Sequence, residues 1–304
     1  MRWRAIDLFA GWGGFTLGAE QAGARVVWAA NHWPLAVRAH AENHPHVEHA
    51  CQDLRQANWT KVPSYELLLA SPACQGHSNG SQPKRLPKHD DDRATAWAVV
   101  DCADATEPRA LIVENVLNMR RWRLYDVWKL GLEKLGFTLT EVVTVATWHG
   151  VPQRRERLFV VGLRGRRFDY QPVVPLVEPA FGPFLEPAAN DWRPLTEMQP
   201  GARARVIAAR GRRGRRFLSQ HVTDHPGVPL YEPIRTITTK DQWILVDGDD
   251  YRPLTVREHA RAMGFPDDFG WPSDVSRPNA IRGLGGAVPP GMARDLTAAV
   301  LAAA

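Results

Sequence analysis

One cysteine follows a short apolar run in a position that suits nucleophilic chemistry. The run Leu67–Ala70 predicts a buried strand, and the loop SPACQGHS begins directly after it, with Cys74 behind Pro72 and Ala73. A lone intracellular cysteine is usually packed as a small apolar residue. A cysteine on a loop at the end of a strand can instead act as a nucleophile, and both interpretations stay open at this point.

A glycine-rich turn near the start of the chain predicts a second functional element. The pattern G-x-G-G, residues Gly11–Gly14, lies between a predicted strand, Ala5–Phe9, and a predicted helix, Phe15–Ala22. This arrangement lets a nucleotide-like ligand approach bare backbone at a helix N-terminus. The next strand ends in Asn-His-Trp without the carboxylate typical of NAD sites. We therefore expect Trp33 to cover an adenine ring and Asp53 to accept a hydrogen bond from an exocyclic amine.

Positive charge is concentrated in one part of the chain. The 304 residues include 38 Lys and Arg against 33 Asp and Glu, for a net charge of +5. The stretch RARVIAARGRRGRR carries seven arginines and no acidic residue. A solvated loop and a nucleic-acid-binding surface are both consistent with such a run. The arginines are Arg203, Arg205, Arg210, Arg212, Arg213, Arg215 and Arg216.

The histidines and the other cysteines form weaker patterns. A histidine group surrounds a predicted helix end, but no cysteine or carboxylate stands beside it at ligand spacing, so we predict no metal site. The three cysteines are far apart, which argues against a disulfide framework and a cysteine-based zinc site. We assign structural roles to Cys51 and Cys102. The histidine group is His40, His44, His46 and His49.

The elements that must position these residues alternate between strand and helix through the first half of the chain. The predicted strands are Ala5–Phe9, Arg25–Ala30, Glu66–Ala70, Ala110–Val113, Phe137–Thr147 and Leu158–Leu163. The predicted helices are Phe15–Ala22, Pro34–Asn43, Thr95–Ala105, Arg123–Leu135, Thr255–Met263 and Pro290–Ala303. The alternation predicts an α/β fold with a mostly parallel sheet covered on both faces.

The alternation stops after Leu163. The segment up to about Asp250 is rich in proline, glycine and arginine and lacks helical periodicity, which predicts loops and short strands. We therefore predict one large α/β domain, residues 1–163 and 252–304, with a smaller domain, residues 164–251, inserted into it. No apolar run is long enough for a signal peptide or a membrane span, so we expect a cytoplasmic protein without membrane contacts.

The chain resembles the DNA (cytosine-5)-methyltransferases in six motifs that occur in the family's order. Together the motifs span nearly the whole chain apart from the inserted segment, and as a set they are far more specific than any one of them. They are DLFAGWGGFTLG from Asp7, SPACQGHS from Ser71, VENV from Val113, QRRERLFVVG from Gln153, RPLTVREHARAMGFPDDF from Arg252 and GGAVPP from Gly285.

The resemblance implies a Rossmann-like catalytic domain that uses S-adenosylmethionine, with a target recognition domain where the arginine-rich segment lies. It makes Cys74 the catalytic nucleophile and Glu114 the acid that holds the cytosine edge. It places Arg155 and Arg157 near a flipped base. The implied cofactor-binding residues are Phe9, Gly11, Gly14, His32, Trp33, Asp53 and Gly286, and the implied DNA-binding residues are the seven arginines of the stretch 203–216.

Three positions depart from the usual family pattern. Ala73 stands where proline is usual before the nucleophile, although Pro72 beside it can still stiffen the loop. His32 stands where an acid that binds ribose is usual, and Gly286 stands where the last motif has asparagine. The last two changes remove expected cofactor contacts.

The resemblance predicts methylation at C5 of cytosine in duplex DNA, through a covalent bond between Cys74 and C6 of a flipped base. An RNA cytosine-5 methyltransferase shares the catalytic motifs, and a catalytically weak DNA-binding relative fits the changed cofactor positions. The expected partner is double-stranded DNA, with a cognate restriction endonuclease as a further candidate. We expect a monomer.

Overall fold

The computed structural model describes residues 2–73, 94–221 and 226–304. The described strands are β1 (Arg4–Leu8), β2 (Arg25–Asn31), β3 (Glu48–Cys51), β4 (Leu67–Ala70), β5 (Ala110–Asn115), β6 (Phe137–Val145), β7 (Gln153–Arg154), β8 (Glu156–Arg164), β9 (Arg193–Pro194), β10 (Arg216–Gln220), β11 (Val228–Pro229), β12 (Ile234–Arg235), β13 (Trp243–Asp247) and β14 (Asp250–Pro253). The described α-helices are α1 (Gly14–Gln21), α2 (Pro34–Asn43), α3 (Trp97–Thr106), α4 (Tyr125–Lys134), α5 (Pro200–Arg213), α6 (Val256–Ala262), α7 (Arg277–Gly286) and α8 (Pro290–Ala303). The predicted nucleophile Cys74 lies outside the described residues.

A central sheet contains seven described strands in the order β3-β2-β1-β4-β5-β8-β6. The strands from β3 to β5 in this order pair in parallel, whereas β8 pairs antiparallel with both β5 and β6. Apolar clusters cover both faces, one beneath α1 and α8 and the other beneath α3 and α4. Strand order reverses between β1 and β4, and α/β sheets bind ligands at the carboxyl ends of the strands there. The predicted Rossmann-like α/β fold is confirmed.

Helix α1 packs closely against the start of α8 because glycines lie at the contact. A Cβ at Gly18 would lie 2.3 Å from the carbonyl oxygen of Pro290 and 2.5 Å from Cβ of Ala293. A Cβ at Gly14 would lie 2.1 Å from the carbonyl oxygen of Val288. Neither position leaves room for a side chain, so the helix that follows the glycine turn is fixed against the last helix.

A second sheet, with five described strands in the order β11-β10-β13-β14-β9, forms largely from the predicted insert. Helix α5 packs on it through Val206 and Ala209, which contact a cluster that includes Phe217 and Val246. The prediction of loops and short strands was wrong for this stretch, because α5 is a helix of 14 residues that carries five of the seven arginines. Its apolar stripe is narrow, and arginines at the surrounding positions obscure the helical periodicity.

Helix α7 was also missed by the sequence analysis. Glycines at 283, 285 and 286 weaken its helical signal, because glycine is among the poorest helix formers. Close packing explains Gly285, since a Cβ there would lie 2.1 Å from the carbonyl oxygen of Thr238. The tertiary contact therefore overrides local propensity.

Two connections tie the inserted segment to the rest of the protein, one of them a separate two-stranded sheet. Strand β12 pairs in parallel with β7, which sets Ile234 opposite Gln153. At the other end, β14 runs to Pro253, past the predicted boundary at residue 251, and leads into α6. The inserted segment is thus attached to the large domain at its C-terminal end, through β14, and within its length, through β12.

A buried ion pair lies at the connection between β14 and α6. Two nitrogens of Arg252 lie 2.8 and 2.6 Å from the carboxylate oxygens of Glu258. The same carboxylate accepts hydrogen bonds from the backbone N–H groups of Thr255 and Glu186, each at 2.8 Å. The side chains of Arg252 and Glu258 are 1% and 0% exposed. Additional hydrogen bonds of this kind make a buried ion pair tolerable, because both charges have lost their water.

No helix among the described residues is long and apolar enough to cross a membrane. In the same part of the chain, His, Cys, Asp and Glu side chains form no group of three or more that could hold a metal ion. Cys102 is buried and Cys51 is exposed.

We predict that Glu258→Gln lowers the free energy of unfolding by about 3–5 kcal/mol, because it leaves the buried Arg252 charge without a partner. Urea unfolding followed by circular dichroism measures the change. Arg38→Ala is the matched control, since Arg38 and Asp274 form an ion pair with side chains 53% and 65% exposed. The control substitution should lower the free energy of unfolding by less than about 1 kcal/mol. Equal losses in both variants would contradict the prediction.

Candidate active site

Two adjoining cavities lie at the carboxyl ends of the central strands. Phe9, His32 and Ala73 line both. The first cavity, of about 170 Å³, is also lined by Gly11, Trp12, Asn31, Trp33, Ser71, Pro72, Glu114, Thr239, Arg282, Gly283 and Gly286. The second, of about 160 Å³, is also lined by Gln52, Asp53, Leu54, Arg55 and Thr95. Glu114 and most of the predicted cofactor residues therefore line the same cavity.

The carboxylate of Glu114 lies near the end of β5 and is paired with Arg157 on β8. Nε of Arg157 lies 2.9 Å from Oε1 of Glu114, and the two side chains are 10% and 8% exposed. Burial raises the pKa of Glu114, while the positive charges of Arg157 and Arg155 oppose that shift. A buried carboxyl with a raised pKa can hold a proton closer to neutral pH than an exposed one.

The backbone that leads to Cys74 is anchored on both sides. Nδ2 of Asn115 donates a hydrogen bond to the carbonyl oxygen of Pro72 at 3.0 Å. The N–H of Ala73 donates to Oγ1 of Thr95 at 3.1 Å. These contacts fix the loop before Cys74 next to Glu114. The sequence analysis missed Thr95, whereas Asn115 carried a signal as the residue after Glu114 in VENV.

Arg155 points into the protein. Its Nη1 donates to the carbonyl oxygen of Ile237 at 3.0 Å, and its Nη2 donates to those of Gly285 and Ala287 at 3.0 and 3.1 Å. Arg155 is only 2% exposed. The role of Arg155 near a flipped base stays a prediction, and these hydrogen bonds show that Arg155 also joins chain segments next to the cavity. Nε of Arg157 contacts the Glu114 carboxylate, and the charge of Arg155 also acts on that carboxylate.

Gln153 was singled out only as part of a motif, but it links three segments. Its Nε2 donates to the carbonyl oxygen of Ala262 at 3.0 Å, and its Oε1 accepts from the N–H of Ile237 at 2.8 Å. Gln153 is fully buried. It therefore fixes the same part of the inserted segment that Arg155 contacts.

The glycine turn presents backbone to the first cavity. Gly11 has φ of 55° and Phe9 has φ of 62°, a left-handed conformation that costs energy for a residue other than glycine. Gly11 lines the cavity, whereas Gly14 does not and packs on the backbone near α8 instead. Gly14 was predicted to bind the cofactor, and its position is explained by helix packing.

The remaining predicted cofactor residues surround the cavities in different ways. The guanidinium of Arg282 lies 4.8 Å from the centroid of the Trp33 ring. Asp53 is paired with Arg55 at 2.6 Å, and the hydrogen bond from Arg55 is the main reason why the pKa of Asp53 is lowered. His32 lies between the two cavities. At Gly286 a Cβ would meet no atom within 4 Å, so this position faces open space.

The arginines of residues 203–216 are not equally available to a ligand. Arg210 pairs with Asp249 at 2.9 Å, and Arg215 pairs with Asp247 at 2.9 Å. Arg216 lies 3.6 Å from Asp247, and Nε of Arg213 donates to a backbone carbonyl. In the described part of the chain, no ion pair is formed by Arg203, Arg205 or Arg212. Arg203 and Arg212 are exposed.

Comparison with known proteins relates this chain to methyltransferases. The family model of the C-5 cytosine-specific DNA methylases matches residues 3–181 and 196–302. The type II methyltransferase M.DsaV of Dactylococcopsis salina is 29% identical over 97% of this chain and 85% of the relative. The type II methyltransferase M.HhaI of Haemophilus parahaemolyticus is 28% identical over 88% of this chain and 85% of the relative.

The fold has solved counterparts. The structure of the S. pombe Dnmt2 methyltransferase superposes with a TM-score of 0.73 over 100% of this chain and 99% of that one, at 18% identity. A putative DNA modification methyltransferase from an E. coli prophage gives a TM-score of 0.74 at 18% identity, over 99% of each chain. At these identities the likeness concerns the fold. Since the family model covers most of the sequence, the chain belongs to the C-5 cytosine-specific DNA methylase family and is a DNA (cytosine-5)-methyltransferase.

Proposed function

We propose that this enzyme methylates cytosine in duplex DNA through a covalent bond between Cys74 and C6 of a base that has been flipped into the first cavity. The observation that carries the proposal is the Glu114–Arg157 pair. It is buried at the end of β5, in the cavity that the glycine turn and the loop before Cys74 also line. An acid, a cofactor turn and the approach to a nucleophile thus share one space.

The methyltransferase family implies S-adenosylmethionine as the methyl donor, and the residues present fit it. Gly11 offers bare backbone to the cavity, aromatic rings of Phe9 and Trp33 line it, and Gly286 leaves open space. When bound, this cofactor supplies an electrophilic methyl group. We assign its binding to Phe9, Gly11, His32, Trp33, Asp53 and Gly286. Gly14 contributes by fixing α1.

Cys74 supplies the electron density that the reaction needs. C5 of cytosine is a weak nucleophile, and addition of the Cys74 thiolate to C6 converts the ring to an enamine with electron density at C5. After C5 has been methylated, it loses its proton and the Cys74 sulfur leaves C6, which restores the aromatic ring. A nearby positive charge favours the thiolate over the thiol.

Glu114 stabilises the ring while the thiolate adds. The negative charge that would develop on the ring is relieved when an acid holds N3, and a buried carboxyl with a raised pKa suits this role. Arg157 holds the Glu114 carboxyl in place through the contact at 2.9 Å. The base must leave the duplex to reach these groups, because a stacked cytosine is inaccessible.

DNA binding is assigned to the inserted segment, residues 164–251, as a target recognition domain. Helix α5 and strand β10 present the arginine stretch, and Arg203 and Arg212 are exposed and carry no ion pair among the described residues. Arginines of this kind contact phosphates. The names of the curated relatives, type II methyltransferases, favour DNA over RNA and make a cognate restriction endonuclease a candidate partner.

We predict a covalent complex between Cys74 and DNA in which fluorine replaces the C5 hydrogen of cytosine. Fluorine cannot leave as a cation, so elimination is blocked after methyl transfer and the protein stays attached. Denaturing gel electrophoresis detects the complex with duplex DNA in which 5-fluorocytosine replaces every cytosine, since the recognition sequence then need not be known. Cys74→Ser should abolish the complex. Cys51→Ser, which changes an exposed cysteine, should not affect it. Methylation at a normal rate by Cys74→Ser would contradict the mechanism.

We predict that Glu114→Gln lowers kcat by about 10²–10³-fold, the usual cost of losing one group that stabilises transition-state charge. The pH profile of kcat/KM gives a second measurement. Activity of the wild type should fall at high pH as Glu114 loses its proton, because only the protonated carboxyl can donate to N3. The amide that replaces this carboxyl does not titrate, so the alkaline fall should disappear in the variant. A fall at the same pH in both proteins would rule out Glu114 as its source.

We predict that neutralising Arg203 and Arg212 together makes DNA binding less sensitive to salt. The slope of log affinity against log salt should change by about 1.8, from about 0.9 for each phosphate contact removed. Arg215→Gln is a control, because Arg215 is already paired with Asp247. Fluorescence anisotropy with labelled duplex DNA gives the slopes. An unchanged slope in the double variant would show that this surface does not face DNA.

A further inference from the structure

Four histidines lie together beneath the glycine turn, and the proposed methyl transfer uses none of them. The rings of His40 and His44 are 4.7 Å apart, those of His40 and His49 are 4.9 Å apart, and those of His44 and His46 are 6.3 Å apart. We call these residues the histidine cluster. They come from α2, the start of β3 and the loop between these elements.

The histidine cluster touches the backbone of the glycine turn. Gly13 has φ of 84°, and a Cβ there would lie 3.0 Å from Nε2 of His44 and 3.1 Å from Cδ2 of His40. Gly13 is next in sequence to Trp12 and close to Gly11, which both line the first cavity. The His40 and His44 rings therefore lie beside the backbone of the turn.

A chain of hydrogen bonds runs from the core to the histidine cluster. Oγ1 of Thr16 donates to Oδ2 of Asp7 at 2.8 Å. Nε2 of His40 lies 3.0 Å from the same Thr16 oxygen, and Nδ1 of His40 lies 2.8 Å from Nε2 of His49. Because the Thr16 hydroxyl has one proton and gives it to Asp7, Nε2 of His40 must donate to Thr16. Nδ1 of neutral His40 then accepts from His49.

This order of donors depends on which groups carry protons. Burial raises the pKa of Asp7 to about 7, so Asp7 takes up a proton as the pH falls below neutral. A protonated Asp7 no longer requires the Thr16 proton, and the donor order of the chain changes. Burial and the neighbouring histidines lower the pKa of His40 and His49, which shows that the site disfavours positive charge.

Only one other acid faces the histidine cluster among the described residues. The Glu20 carboxylate on α1 lies 3.1 Å from Nδ1 of His44 and 2.6 Å from Nε2 of His46. The titratable groups around His40 are thus Asp7 on β1, Glu20 on α1, and the other three histidines. Acid neutralises Asp7, which removes the charged acceptor of the Thr16 proton, whereas the lowered pKa values of His40 and His49 keep these two rings neutral, so the change acts first at Asp7.

We propose that His40 is a positioning residue for the cofactor turn, and that cofactor binding weakens in acid because the hydrogen-bond chain from Asp7 through Thr16 to His40 then changes its order of donors. The inference rests on the proposed cofactor site. Its physical basis is that His40 is hydrogen-bonded to Thr16 on the helix that follows the turn, and that the His40 and His44 rings fill the space that a side chain at Gly13 would need.

The test is calorimetric titration of the full-length protein with S-adenosylhomocysteine, an analogue that cannot react. The Kd should rise at least about tenfold between about pH 7.5 and about pH 5.5, as expected when binding requires the loss of one proton. A Kd that stays within about twofold over this range would overturn the inference. If S-adenosylhomocysteine does not bind even near pH 7.5, the proposed cofactor site is wrong. If it binds equally well at both pH values, only the inference about the histidine cluster is wrong.

The double variant His40→Gln/His49→Gln identifies the source of the pH dependence. Glutamine can donate to or accept from Thr16 but gains no charge. Relative to its own Kd near pH 7.5, the variant should show less than about half of the wild-type pH dependence on a logarithmic scale. His221→Gln, which changes an exposed histidine of the inserted segment, should keep the full dependence. Full dependence in the double variant would overturn the inference.

A pair of variants at Thr16 tests the positioning role without changing the number of histidines. Thr16→Ser keeps the hydroxyl and should keep the wild-type Kd, whereas Thr16→Val has a similar shape and should raise it about tenfold, because the link between Asp7 and His40 is lost. Thermal unfolding of both variants shows whether they fold. Equal Kd values for folded Thr16→Ser and Thr16→Val would mean that the hydrogen-bond chain does not act on the cofactor.

Discussion

The guanidinium of Arg155 joins three stretches of chain that are far apart in sequence. It stands on the segment between β7 and β8 and donates to carbonyls of the inserted segment and of the end of α7. A buried arginine is stable only where acceptors surround it, so all three stretches must come together before the side chain can be accommodated. Thr239 and Gly286, which line the first cavity, lie close in sequence to the residues that Arg155 binds, and Gln153 holds Ile237 as well.

The chemistry at the centre depends on a balance between burial and charge. Glu114 is removed from water at the end of a central strand, which favours its protonated form, and Arg157 limits that effect at 2.9 Å. Without the arginine, the carboxyl would be an uncompensated buried acid. Without burial, it would be an ordinary carboxylate that carries no proton at neutral pH. The fold supplies both conditions because β5 and β8 are paired side by side.

Residues whose chemistry is local could be predicted from the sequence, and residues whose partners are distant could not. The strand-turn-helix around Gly11 is a local pattern, and it correctly led to the fold. Gly14 belongs to the same pattern, but a glycine that approaches a ligand and one that packs on a helix look identical in sequence. Arg155 and Gln153 bind backbone atoms of the inserted segment, whose position only the folded chain defines. Helix α5 was missed because five of its 14 residues are arginines that interrupt its apolar pattern.

Main-chain groups of the inserted segment bind residues outside it, in addition to an apolar cluster in which its Ile237 and Trp243 side chains pack with Trp12 and Phe265. The N–H of Ile237 binds Gln153, its carbonyl binds Arg155, the N–H of Ile234 binds the carbonyl of Pro152, and the N–H of Glu186 binds Glu258. Main-chain groups are the same in every residue except proline. The family model leaves residues 182–195 unmatched, so this part of the segment departs from the family pattern without losing its attachment. The main-chain contact of Glu186 can therefore persist while the side chains of residues 182–195 change during evolution.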